Sequence, residues 1–283
     1  MPTDAILRAY LAKTPVTLAL WRTLECRALA AIPMTPPVLD LGCGDGIFGS
    51  LLFARGIDVV GLDASLAEVR LAKRTGTYRG LITANIEAIP LADASVATVV
   101  SNCVMEHVDR LDRALAEIAR VLRPGGTFAF TTPSERFTEF FFYPRALARL
   151  GLASLGRRWE RFRNDYHHHV NLLDREGWRD RLEAAGLRVV EQRYLVPERI
   201  ARHCDLAIAS SLPAVALRAA AGRWILPFRP LTLPLLLRAY GPALDETGPT
   251  GGGLLHVCRT STVRPSTVNV NSRYSRVPTA TER

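Results

Sequence analysis

Lysine is nearly absent from this sequence: Lys13 and Lys73 are the only two in 283 residues. A phosphate-cradling loop of the G-x-x-x-x-G-K-[ST] type needs a lysine beside its glycines, and neither lysine follows a glycine-rich turn. Cysteine is equally sparse. The five residues Cys26, Cys43, Cys103, Cys204 and Cys258 are scattered and odd in number, with no C-x-x-C pair. That spacing argues against a zinc site or a disulfide framework, so a reducing, cytoplasmic setting is expected. Long apolar runs are missing too. No window supplies the roughly 18–20 uncharged apolar residues of a spanning helix, and Asp4, Arg8 and Lys13 interrupt what a signal peptide would keep apolar.

What is present in excess is arginine, and the net charge is +9. Its distribution matters more than its size. Residues 38–133 carry nine Arg/Lys against eleven Asp/Glu, whereas the last 25 residues carry five Arg against one Glu. Basic charge therefore lies in arms around a slightly acidic centre. This is weak support for an anionic partner or membrane surface, and nucleic acid is not the expected ligand.

The pattern along the chain predicts a doubly wound α/β fold. Apolar residues at three-and-four spacing over 4–31 predict two helices, with Thr14-Pro15 opening the second. From residue 38 strands and helices alternate. Strands are expected at 38–41, 57–63, 80–85, 95–102 and 127–133. Between them fall helices at 48–54, at 66–74 behind the capping box Ser65–Glu68, and at 112–122 before Arg123-Pro124-Gly125-Gly126. Such alternation means a mostly parallel sheet covered on both faces. The rhythm breaks after 133 with the aromatic, arginine-rich insertion 134–165. A helix capped by Asp174 and stopped by Gly186, a strand at 187–195 and a last strand at 252–259 follow. Four segments are thus expected: helical 1–37, a core at 38–195 containing the insertion, an apolar stretch with the last strand at 196–261, and a disordered tail at 262–283.

The chemistry concentrates in "VLDLGCGDGIFGSLL" (38–52). A dinucleotide fingerprint would need glycine at 47, where Ile47 stands. Two acids, Asp40 and Asp45, flank the turn and no basic residue accompanies them. A pyrophosphate would be repelled there, and a cationic ligand welcomed. The glycines Gly42, Gly44 and Gly46 let backbone approach a ligand closely. Asp63 ends the next strand, where a carboxylate can accept hydrogen bonds from both hydroxyls of a ribose. A ribose, no phosphate and a cationic end together describe S-adenosylmethionine.

These residues and their order resemble the class I S-adenosylmethionine-dependent methyltransferases of the type-11 small-molecule group. "VLDLGCGDG" resembles the first motif, "VVGLDAS" the ribose-binding motif, "ANIEAIPLADASVATVVSNCVMEHV" the adenine-side and fourth strands, and "RVLRPGGTFAFTTP" the fifth-strand motif. The resemblance is strong over 38–133 and absent beyond 195. It implies that Asp40 and Gly42 face the methionine amino group, that Gly44 and Gly46 make room for the cofactor, and that Asp63 holds the ribose beside Leu62 and Ala64. Asn85 and Ile86 would lie along the adenine, and Asn102 would border the reacting centre. Two departures stand out: Asn85 replaces the family's usual Asp, and Ser95-Val96-Ala97 replaces Ser-Phe-Asp.

Two further stretches carry candidate roles. In "DYHHHVN" (165–171) contiguous histidines in an extended segment alternate between faces and do not chelate one ion, but His168 is a candidate catalytic residue, as is His107 after the fourth strand. "EFFFYPR" (139–145) reads as a lid over an apolar acceptor or as a helix packed on the sheet edge. The expected activity is methyl transfer to a small-molecule, lipid- or glycan-linked acceptor, without a metal. Peripheral membrane contact through 205–240 is a further expectation. An RNA methyltransferase and a catalytically silent cofactor-binding protein are the alternatives, while a nicotinamide-dependent oxidoreductase is disfavoured by Ile47.

Overall fold

A computed structural model describes residues 3–208, 229–246 and 248–261. Its centre is a seven-stranded sheet in the order β3-β2-β1-β4-β5-β7-β6. The strands are β1 (Val38–Leu41), β2 (Val59–Asp63), β3 (Gly80–Thr83), β4 (Val96–Asn102), β5 (Leu122–Pro133), β6 (Leu187–Leu195) and β7 (Gly253–Thr260). All neighbouring pairs from β3 across to β5 are parallel, whereas β7 runs antiparallel to both β5 and β6. The expected strand–helix alternation is therefore present, with one reversed strand near the far edge.

Successive strand residues point to opposite faces, and the apolar content of both faces explains why helices cover each. Val38, Val100 and Ala129 pack with α1 (Thr3–Lys13) and α2 (Val16–Ala30), while Leu39, Leu41, Val99, Phe128 and Phe130 pack with α5 (Leu111–Val121) and α8 (Arg175–Ala184). Helices α3 (Ile47–Leu52) and α4 (Leu66–Lys73) follow β1 and β2 as expected of crossover units. Beyond β5 come α6 (Phe142–Arg149), α7 (Ala153–His167), α9 (Glu198–Leu206) and α10 (Arg229–Tyr240).

Local chemistry sets most boundaries. Ser65 Oγ accepts from the Glu68 amide at 3.3 Å, and Asp174 Oδ1 from the Gly177 amide at 2.7 Å, so both expected caps are made. Two boundaries differ from expectation. Pro15 is the residue before α2 and not its first helical position. The Arg123–Gly126 segment is the irregular opening of β5: Val96 pairs with Leu122, and regular register resumes only at Thr98 with Thr127. Gly125, at φ +73°, absorbs that irregularity. Residues 209–228, which hold most of the apolar 205–240 stretch, and the tail from 262 lie outside the described residues. Among the described residues no helix is long and apolar enough to cross a membrane.

Candidate active site

The carboxyl ends of the parallel strands form the site, where β1 is flanked by β2 on one side and β4 on the other. In doubly wound sheets that divergence opens a crevice. The turn after β1 is built by three glycines in left-handed conformation: Gly42 at φ +71°, Gly44 at +51° and Gly46 at +76°. They are not equivalent. A Cβ on Gly42 would meet Val104 Cγ2 at 2.2 Å and one on Gly46 would meet Ala72 Cα at 2.8 Å, but one on Gly44 would meet nothing within 4 Å. Gly42 and Gly46 are small for the sake of packing. Gly44 opens onto free space.

Asp63 ties this turn to β2. Its Oδ2 accepts from the Gly44 amide at 2.9 Å and its Oδ1 from the Ser65 amide at 2.8 Å. Each carboxylate oxygen keeps a second lone pair. Asp45 Oδ1 accepts from the Ile47 amide at 3.0 Å and so caps the start of α3. Asp40 lies behind the turn, only 3% exposed, with Oδ2 accepting from the Tyr78 hydroxyl at 2.7 Å. Burial pushes its carboxyl up to about 7, against the opposing pull of that hydrogen bond. Asn85 Oδ1 accepts from the Glu87 amide at 2.9 Å, which makes a tight turn after β3 with Asn85 exposed and Ile86 half-buried. Ala64 is exposed beside Asp63.

At the end of β4 a polar network descends from α2. Glu25 is fully buried. It accepts from Trp21 Nε1 and Arg22 Nη1, each at 2.8 Å, from Asn102 Nδ2 and from the Cys103 thiol, each at 2.9 Å. Asn102 also accepts from Arg22 at 2.7 Å and donates to Thr131 Oγ1 at 2.6 Å. Burial and the Glu25 charge hold the Cys103 thiol well above its ordinary range, consistent with a thiol donating to Glu25.

Beyond this network opens a cavity of about 1000 Å³ between α2, the turn after β4, the end of β5, and α6–α7. Trp21, Phe137, Phe141, Trp159 and Phe162 supply aromatic wall. Arg22, Cys103, Glu106, His107, Arg163, His167 and His169 supply polar groups. The histidine segment is pinned here by backbone: the Val170 and Asn171 amides both donate to the Glu106 carbonyl, at 2.8 and 3.0 Å. His168 ends α7 in left-handed conformation at φ +51°. The His167 and His169 rings lie on the same side, stacked with centroids 5.3 Å apart. Burial lowers His167 to about 4 and His169 to about 3, and it lowers His107 as well. Glu106, 1% exposed, is pushed by burial to about 8, which favours its protonated form.

The two candidate histidines meet in an unequal way. Both are exposed, but His107 lines the cavity, whereas His168 meets His107 only through its backbone: His107 Nδ1 lies 3.1 Å from the His168 carbonyl oxygen. A carbonyl can only accept, so Nδ1 carries the proton and Nε2 presents its lone pair, 3.7 Å from Glu106 Oε1. The ring groups on the cavity are thus those of His107, His167 and His169, and not that of His168, with residues two apart sharing a face and the one between them pointing away. Phe140 and Phe141 of "EFFFYPR" are buried, and α6 starts at Phe142, so this stretch is cavity wall and core together. Sequence reasoning missed Trp21, Arg22 and Glu25. Their signal was an acid at 25 on the apolar face of a helix, three residues after an arginine.

Residues 39–130 match the family model described as "Methyltransferase domain". Over 107 residues the chain is 43% identical to malonyl-[acyl-carrier protein] O-methyltransferase of Methylococcus capsulatus, spanning 35% of this chain and 39% of that protein. It is 35% identical over 144 residues to the protein of the same name from Pectobacterium atrosepticum, covering 50% and 51%. It is 36% identical over 106 residues to demethylmenaquinone methyltransferase of Renibacterium salmoninarum, covering 38% and 44%. The chain thus spans about half or less of the length of these curated relatives. Among solved structures, a SAM-dependent methyltransferase of Thermotoga maritima superposes with TM-score 0.54 at 17% identity, over 87% of this chain and 92% of that one. The [4+2]-cyclase SpnF superposes with TM-score 0.54 at 17% identity, over 84% and 81%. At these identities the likeness is one of fold.

Proposed function

We infer, from the match of residues 39–130 to the family model described as "Methyltransferase domain" and from the fold, that this chain is an S-adenosylmethionine-dependent methyltransferase and transfers a methyl group to a small-molecule acceptor held in the aromatic cavity. One observation carries the reading. Gly44, whose missing Cβ opens onto free space, sits one hydrogen bond from Asp63 at the strand ends. A nucleoside laid across that turn would meet backbone without a clash and carboxylate lone pairs where a ribose needs them. No lysine or arginine stands in the turn 42–46, so the cradle suits a sulfonium better than a phosphate.

In this reading Asp63 accepts from the ribose hydroxyls while keeping its bonds to Gly44 and Ser65. Asn85 and Ile86 border the adenine, with Ala64 beside the ribose. Gly42 and Gly46 hold the turn tight enough for Gly44 to approach the ligand, and Asp40 supports the turn from beneath through Tyr78. Asn102, clamped by Glu25 and Thr131, separates the cofactor side from the acceptor side. The cofactor supplies a methyl carbon already activated by its sulfonium, whose C–S electron pair stays on sulfur. The protein's part is to bring the acceptor into line, to exclude water with the aromatic wall and to take a proton where the acceptor has one to lose. His107 Nε2 is the group positioned for that last task. The aromatic wall favours a small apolar acceptor over RNA.

The direct test is a transfer assay with methyl-labelled S-adenosylmethionine and fractionated small-molecule extract. Label is expected in an organic-soluble product. Tight cofactor binding with no label transferred to any fraction would contradict the reading.

A further inference from the structure

We propose that the cavity accepts an apolar molecule through a single neutral hydroxyl, with His107 Nε2 as the acceptor of that hydroxyl's proton. The proposal deepens the methyltransferase reading and rests on it. Among the described residues, the full cations on the cavity wall are Arg22, Arg158 and Arg163, and the carboxyl group is that of Glu106. Two of those cations are already matched: Arg22 by fully buried Glu25 at 2.8 Å, and Arg163 by fully buried Asp205 at 2.9 Å. Arg158 is exposed.

An acceptor carboxylate would therefore find no unmatched cation inside and would keep its desolvation penalty. An acceptor ammonium would face guanidinium groups and a Glu106 whose protonated form burial favours. A neutral hydroxyl meets neither objection. It needs one acceptor, and the His168 carbonyl fixes His107 in the tautomer whose Nε2 is that acceptor.

The body of the molecule is set by the rest of the wall. Trp21, Phe137, Phe141, Trp159 and Phe162 enclose a volume at the upper end of small-ligand pockets, so a largely apolar frame fits. On transfer the hydroxyl oxygen gains the methyl group and its proton passes to Nε2, while Nδ1 keeps its own proton and goes on donating it to the His168 carbonyl.

Binding tests this without any turnover. Trp21 and Trp159 lie in the wall, so their fluorescence reports occupancy. The probes are a para-alkylphenol, its methyl ether, the matching alkylbenzoate and the matching alkylbenzylamine, each titrated into the full chain without cofactor. The phenol is expected to bind about tenfold tighter than the ether, as one added hydrogen bond allows, with benzoate and amine weaker than both. In His107→Leu the phenol should fall to the affinity of the ether, while the ether itself is unchanged and so reports an intact cavity. Trp159→Leu should weaken phenol and ether alike. Equal binding of phenol and ether, tighter binding of benzoate or amine, or a phenol advantage that survives His107→Leu would overturn the proposal. S-adenosylmethionine binding is measured on the same preparation. Failure with the phenol while the cofactor still binds removes the acceptor assignment alone, whereas failure of both removes the wider reading too.

Discussion

The His107 ring and the His168 backbone form a pair: Nδ1 of one lies 3.1 Å from the carbonyl oxygen of the other. That contact orients a base on a turn of three residues, Met105–His107, at the mouth of β4. It predicts that methyl transfer rises with pH through a group titrating below 6.5, the ordinary value from which burial lowers His107, and is flat above it. His107→Gln should lower kcat by about a hundredfold or more and abolish that acid limb. A pH–rate profile of the two proteins checks this, and an unchanged limb in the variant would assign it to another group.

Gly42 and Gly44 separate packing from ligand contact. Gly42→Ala drives a Cβ into Val104 and holds it at positive φ, so a loss of about 3 kcal/mol in folding stability is expected. Gly44→Ala has only the conformational term, about 1 kcal/mol, yet should weaken cofactor binding more than tenfold because its methyl occupies the ligand's space. Urea melts and cofactor titrations of both variants make the comparison. Undiminished binding by Gly44→Ala would remove the turn from the site.

Glu25 holds the acceptor side together. Replacing it by Ala leaves the Arg22 guanidinium, Trp21 Nε1 and Asn102 without their shared acceptor, at a cost of roughly 3 kcal/mol. The double variant Glu25→Ala/Arg22→Leu removes the stranded charge with its partner and should recover part of that loss. Chemical denaturation of the single and double variants decides. An additive result would mean that the pair is not coupled.

Stability should peak near pH 6.5, for reasons of opposite sign on either side. His167, His169 and His256 are held by burial at about 4, 3 and 3. Below 6.5 the unfolded chain binds protons that the folded chain refuses, so stability falls as pH drops. Asp40 and Glu106 are raised to about 7 and 8. The folded chain keeps protons that the unfolded chain has released, so stability also falls as pH climbs from 6.5 to 8. Urea midpoints across this range test both limbs. Glu106→Gln should flatten the upper limb, and His256→Gln should shallow the lower one.

Much of this architecture was legible because local signals agreed with the fold. Apolar runs ending in glycine, the Ser65 and Asp174 caps and the amphipathic helix before Leu122 all encode their own boundaries. The glycine turn and Asp63 were legible for the same reason, since both belong to one strand–helix–strand unit, β1–α3–β2. The acceptor side was not, because it is assembled across long distances in sequence. Glu25 reaches Asn102 and Cys103 from α2, and the Glu106 carbonyl draws in Val170 and Asn171. The left-handed conformation of His168 has no glycine to announce it.

The central claim is that the turn after β1 and Asp63 form an S-adenosylmethionine pocket. Isothermal titration of the full chain with S-adenosylmethionine, beside Asp63→Ala, tests it most directly. The account predicts saturable one-to-one binding by the natural chain and a loss of at least about tenfold in the variant, as removal of charged hydrogen-bond acceptors implies, with circular dichroism unchanged. Absence of binding by the natural chain, or equal affinity in Asp63→Ala, would contradict it.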